Sequence, residues 1–144
     1  MILYLDTSAF VRLYVKEDDH DAILDSARKA TLVATHIIAY AEMRAALAKM
    51  RRMKHITVAE FNKIKRSFER DWQNAVHVHP TELLIRRAGE LAEQHALRGY
   101  DSVHLAAAEI LAHTGTPLPL TFAGFDATLN NAARKIGLGL FGET

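Results

Sequence analysis

Short apolar runs alternate along this chain with longer stretches of helical period, and that alternation narrows the fold more than any other feature. Ile2-Leu3-Tyr4-Leu5 is a continuous apolar run closed by Asp6, the pattern of a strand buried on both faces of a parallel sheet. Leu32-Val33-Ala34, Val76-His77-Val78, Leu118 to Phe122 and Leu138 to Phe141 are further strand segments. Pro119 puts the fourth at a strand start or a sheet edge. Between them the spacing predicts helices. The first runs from Ser8 to about Val15, and a second is capped by Asp18 or Asp19 and reaches Lys29. An Ala-rich helix follows from Ile38 to Met53. Thr57-Val58-Ala59-Glu60 is a capping box, with an N-cap hydroxyl and a Glu three residues on. Its helix carries Phe61, Ile64, Phe68 and Trp72 on one stripe, the spacing of a core face or subunit interface rather than a base-stacking platform. Pro80-Thr81-Glu82 opens a helix that Gly99 breaks. Tyr100 to His113 and Asp126 to Ile136 are the last two, the latter stopped by Gly137. With no linker, repeat or low-complexity tract, this order predicts one α/β domain over residues 1–144. Its sheet is mostly parallel, with four or five strands and helices on both faces.

Composition agrees and excludes several classes. The 144 residues are 49% hydrophobic and 24% charged, near the average for globular proteins, which rules out disordered and collagen-like chains. Cysteine is absent, so thiol catalysis, Cys-ligated zinc and Fe–S clusters are impossible. No apolar run approaches the ~20 residues that span a bilayer. The N-terminus shows no signal-peptide pattern, and the expectation is a cytoplasmic protein without a membrane partner. Net charge is +1, so only the distribution of charge is informative. Lys49, Arg51, Arg52, Lys54 and His55 form a tight basic run. Helix C-termini favour cations in any case, and contact with RNA phosphates is the functional reading of the first four.

The acids are scattered, and four stand at element ends. Asp6 closes the first strand, Glu42 lies in the first turns of the Ala-rich helix, Asp101 opens a helix, and Asp126 follows the fourth strand. Ligand sites in open α/β sheets form beyond the carboxyl ends of the strands, so one rim can collect all four. Singly, each has an ordinary explanation. Asp6 can cap a helix, Asp101 and Asp126 can be N-terminal helix acids, and Glu42 can face water. Together they suit a hard divalent cation, which takes oxygen ligands and offsets their mutual repulsion. Thr7 and Ser8 would orient a carboxylate or a water there, or else bond the N–H groups of the first helical turn.

Leu5-Asp6-Thr7-Ser8-Ala9-Phe10, Tyr40-Ala41-Glu42, and Arg98-Gly99-Tyr100-Asp101 through Ala108 resemble the pattern of PIN-domain nucleases. More narrowly they are similar to the VapC-type toxins of toxin–antitoxin pairs. Leu120-Thr121-Phe122-Ala123-Gly124-Phe125-Asp126 with Leu129, Ala132-Ala133 and Gly137-Leu138 resembles the end of that family. The likeness runs the length of the chain in order, is most specific around Asp101, and is only helical in character over residues 50–80. It implies a single PIN-like domain acting as an endoribonuclease dependent on one or two Mg²⁺ or Mn²⁺ ions. By motif, Asp6, Glu42 and Asp101 are the core metal acids and Asp126 the fourth. A metal-activated water would hydrolyse the phosphodiester, leaving a 5′-phosphate. The resemblance also implies an RNA substrate, a small antitoxin partner and a homodimer. Asp126 departs from the family pattern: Thr121 precedes it by five residues, and no acid stands at Ala123 or Gly124.

Other constellations are weaker. His77 and His79 share a strand face, but no third ligand is spaced with them; His104, one helical turn from Asp101, is read as packing, with substrate contact as the alternative. A haloacid-type phosphatase requires an Asp where Ser8 stands. A receiver domain requires an acid and a Lys where His79-Pro80 and Phe141-Gly142 stand, and no Gly-rich phosphate loop is present. The competing function is a PIN-like module that holds RNA or protein without cutting; a nuclease acting on DNA shares the same chemistry.

Overall fold

The computed structural model describes residues 1–143. In chain order these form β1 (Ile2–Leu5), α1 (Thr7–Arg12), α2 (His20–Lys29), β2 (Leu32–His36), α3 (Ala39–Arg52) and α4 (Val58–Asn74). Then come β3 (Val76–Val78), α5 (Glu82–His95), α6 (Gly99–Ala112), β4 (Leu120–Ala123), α7 (Ala127–Lys135) and β5 (Gly139–Leu140). The five strands make one sheet in the order β3-β2-β1-β4-β5, and every neighbouring pair is parallel.

β1 is the central strand, which explains its unbroken apolar run. Successive side chains point to opposite faces, so each face needs a hydrophobic residue. Ile2 and Tyr4 enter one core with Ala34, Phe122 and the inner faces of α5, α6 and α7. Leu3 and Leu5 enter the other with Phe10, Ile23, Met43, Leu47, Phe61 and Phe68, which come from α1 to α4. The stripe on α4 is therefore core. Its capping box forms: Thr57 Oγ1 accepts from the Glu60 N–H at 3.0 Å, and Glu60 Oε1 accepts from the Thr57 N–H at 3.0 Å. On the other face Arg87 forks onto Glu109 at 2.7 and 2.8 Å, tying α5 to α6.

Several boundaries differ from expectation, each for a local reason. α1 ends at Arg12 rather than near Val15, and the chain leaves it through turns. Asp19 precedes α2 but makes no side-chain cap bond, because its backbone is left-handed with φ 70°. α5 stops at Ala96, which takes the left-handed conformation itself at φ 54°, so Gly99 is not a breaker but the first residue of α6. β4 begins after Pro119, whose carbonyl accepts from the Ile2 N–H at 2.8 Å.

Candidate active site

The parallel sheet sets the C-terminal ends of β1, β2 and β4 on one rim. Asp6 follows β1 directly, and its N–H donates to the Ala123 carbonyl at 3.0 Å. Its carboxylate is buried at 4% exposure. Oδ1 accepts from Ser8 Oγ at 2.7 Å and from the Ala9 N–H at 2.9 Å, so Asp6 is both the N-cap of α1 and an acid held in place. Ser8 Oγ in turn accepts from the Phe125 N–H at 3.2 Å, which ties the loop after β4 to this carboxylate. Oδ2 points at Gly124, where a Cβ would stand only 2.7 Å away. Burial pushes the Asp6 carboxyl up, with the charge of Asp101 adding to it, while His104, Ser8 and the Ala9 N–H oppose the rise.

Glu42, in the first turn of α3, turns toward α1 and α6. Its Oε1 accepts from Thr7 Oγ1 at 2.8 Å and stands 2.9 Å from His104 Nε2. Burial would raise this carboxyl, but the bond and charge of His104, the Thr7 hydroxyl and His36 together hold it below its ordinary value. Thr7 and Ser8 thus each fix one carboxylate, and the first-turn N–H is left to Asp6.

Asp101 opens α6 beside them, with a largely shielded side chain, and Arg98 Nε donates to its Oδ2 at 2.9 Å. Asp126 caps α7 by accepting from the Leu129 N–H at 2.8 Å, and its charge reaches Arg98. Asp6 and Glu42 are therefore drawn together through α1 and His104, Asp101 lies within electrostatic range of Asp6, and Asp126 borders the group as a cap. The basic run stands elsewhere. Lys49, Arg51 and Arg52 end α3, with Lys54 in the turn beyond, and Arg52 lies about 15 Å along the helix axis from Glu42. Arg51 rests over the Phe61 ring at 5.0 Å.

Two residues were missed as site components. His104 is buried at 2% exposure, yet it bonds Glu42 and Tyr4 rather than merely packing. Tyr4, in the middle of β1, reads as core by sequence and is core, but its hydroxyl stands 2.9 Å from His104 Nδ1. Burial, with the charges of Asp6 and Glu42, drives its ionisation well above the ordinary phenol value. A histidine directly before the apolar run Leu105 to Ala108 is the one local signal of this network. His77 is used differently: it stacks on Trp72 at 4.0 Å and reaches that residue's carbonyl at 2.8 Å.

Among the described residues no three His, Asp or Glu side chains enclose a common point. The donors nevertheless suit a hard divalent cation. They are carboxylate oxygens, one of them faces a space that a Cβ at Gly124 would fill, and Mg²⁺ binds through one or two carboxylates while keeping several waters.

The family model described as PIN domain matches residues 3–122. The chain belongs to the PIN-domain family. Two curated relatives of this PIN domain are Ribonuclease VapC45 of Mycobacterium tuberculosis strain CDC 1551 / Oshkosh and Ribonuclease VapC49 of strain ATCC 25618 / H37Rv. Each is 35% identical over 146 residues, covering 94% of this chain and 92% of the relative. A crystal structure of VapBC2 from Rickettsia felis bound to a DNA fragment from their promoter superposes with a TM-score of 0.65. It shares 17% identity over 97% of each chain, and supports the fold.

Proposed function

We propose that this PIN domain is a metal-dependent endoribonuclease and the toxin of a toxin–antitoxin pair. One observation carries the reading: Asp6 is buried and fixed through one oxygen, while its other oxygen is turned into a space kept open by Gly124. A cap needs only the first oxygen. The 35% identity to ribonucleases over nearly the whole chain gives that arrangement its chemistry.

In this reading Asp6, Glu42 and Asp101 hold Mg²⁺ or Mn²⁺, with Asp126 as the outlying fourth acid. The bound cation supplies positive charge for the phosphodiester and lowers the pKa of water at the site. The chain's own residues prepare the place. Ser8 and the Ala9 N–H fix Asp6, and Thr7 and His104 fix Glu42. Arg98 neutralises Asp101 until a competing cation arrives. Lys49, Arg51, Arg52 and Lys54 line the far end of α3 and give RNA a salt-sensitive hold away from the cleavage point. A small antitoxin that covers the rim, a homodimer and a cytoplasmic setting complete the proposal. No helix among the described residues is long and apolar enough to cross a membrane.

The test is RNA cleavage with Mn²⁺ or Mg²⁺, with and without EDTA, by wild type and Asp6→Asn. Cleavage that needs the metal and falls at least ~100-fold in Asp6→Asn is expected, the scale of losing a group that acts in the transition state. Equal cleavage by both proteins would remove Asp6 from the mechanism. The competing reading, binding without cutting, draws on the Arg98–Asp101 pair, which occupies one of the acids. RNA retained equally with EDTA, and never cleaved, would favour it.

A further inference from the structure

Tyr4 and His104 lie a hundred positions apart. Both side chains are buried, at 0% and 2% exposure. Neither is expected to touch RNA, and core packing needs their rings but not their polar atoms. Their hydrogen bonds have a direction that follows from elementary donor rules. A phenol carries one proton, and the hydrogen-bond partner that Tyr4 Oη meets across the core is His104 Nδ1, at 2.9 Å; the His36 backbone and the Thr35 hydroxyl, which itself donates to the Leu5 carbonyl, also lie near it. In the neutral ring, with Tyr4 donating, Nδ1 is an acceptor and the ring proton sits on Nε2. Nε2 stands 2.9 Å from Glu42 Oε1, so it donates to the carboxylate. Thr7 Oγ1 donates to the same oxygen at 2.8 Å, and its 3.3 Å approach to Nε2 is that of two donors sharing one acceptor.

The consequence for Glu42 is geometric. Oε1 is held from two sides, by groups on α1 and α6, while the carboxylate itself rides on α3. Among the described residues no hydrogen bond engages Oε2. The edge-to-face packing of the Tyr4 and His104 rings, 5.9 Å between centroids and 73° between planes, fixes the imidazole plane. On its far side Tyr4 stacks on Phe122 at 5.7 Å, so the arrangement is anchored in the sheet itself.

We propose that Tyr4 and His104 are positioning residues: the phenol occupies Nδ1 and holds the ring, and the Nε2–H aims Glu42 so that its second oxygen is presented to the cation. This rests on the reading of Glu42 as a metal-site acid. Outer hydrogen bonds of this kind typically change metal affinity by about 10–100-fold when removed.

Two measurements test it. Long-range ¹H–¹⁵N NMR of the imidazole rings reports the tautomer of His104 without any metal. The Nε2–H form is expected in the wild type and in Tyr4→Phe, because the Glu42 carboxylate accepts from Nε2 in both. An Nδ1–H form in the wild type overturns the proposal. Calorimetric titration of the full chain with Mn²⁺ alone reports the consequence. His104→Leu is expected to weaken binding about 10–100-fold, and His104→Gln, whose amide places a donor near the Nε2 position, to restore most of the loss. Glu42→Gln is titrated alongside. If Glu42→Gln weakens binding and a folded His104→Leu does not, the positioning role is overturned while the metal reading of Glu42 survives. If Glu42→Gln itself leaves Mn²⁺ affinity unchanged, that reading fails and the positioning role with it, whatever the tautomer. Should His104→Leu not fold, Tyr4→Phe decides: weakened Mn²⁺ binding supports the role, and wild-type affinity overturns it.

Discussion

A Cβ built on Gly124 would stand 2.7 Å from Asp6 Oδ2 and 3.1 Å from the Phe122 ring. Neither neighbour can easily give way. Phe122 is fully buried, and Asp6 is pinned through its other oxygen by Ser8 and the Ala9 N–H. Gly124→Ala is therefore expected to turn the Asp6 carboxylate and to cost ~1–3 kcal/mol of stability, as overpacking does. RNA cleavage at saturating Mn²⁺ should fall by about tenfold or more, since small misplacements of a reacting group are expensive. Cleavage at the wild-type rate by the folded variant would show that Asp6 needs no open space. Gly124 is legible in the sequence only as a gap, a position where the family pattern offered a carboxylate and none stood. The structure makes that gap a requirement of Asp6.

α4 was the most readable element. The Thr57 and Glu60 spacing specifies its start through bonds made within four residues, and both bonds form. Thr57→Ala should cost ~1 kcal/mol in urea unfolding with an unchanged m value, the usual loss for an N-cap hydroxyl. The cleavage rate of the folded protein should stay near wild type, because α4 meets α3 through the core and through Glu69, which bonds Tyr40 and Arg44, and not through its cap. A changed rate would mean that α4 positions α3 more tightly than core packing requires. The end of α5 departs from the sequence expectation for a related reason. A glycine is the usual residue for a left-handed stop, yet Ala96 takes that conformation because the chain must turn there to set α6 against the sheet. Local preference yielded to packing.

His36 illustrates what the whole molecule does to a single ring. Burial, with the nearby charges of His104 and His79 and against the pull of Glu42, lowers it from 6.5 to about 4. The folded chain therefore binds fewer protons here than the unfolded chain over the interval between those values. Its contribution to stability is complete above the unfolded value and is lost as the pH falls toward the folded one. Asp6 has the opposite sign: its raised carboxyl contributes stability in acid that is lost as the pH rises. Unfolding midpoints should consequently drop between about pH 6.5 and 4. His36→Asn, which keeps an acceptor for the Ile38 N–H that now bonds Nδ1, should flatten that drop. An unchanged pH profile in the variant would assign the acid loss to other groups.

The sequence by itself determined the alternation of strands and helices, the parallel sheet, the buried central strand and the acids at element ends. All of these follow from periodicity and capping over a few neighbouring residues. Tertiary structure alone decided which groups stand beside each acid. The order β3-β2-β1-β4-β5 sets β1 between β2 and β4, so Asp6, Glu42 and Gly124 share a rim that no linear spacing encodes. It also decided that Tyr4 and His104 face each other across the core, because which face of a strand meets which helix is settled only when the layers pack.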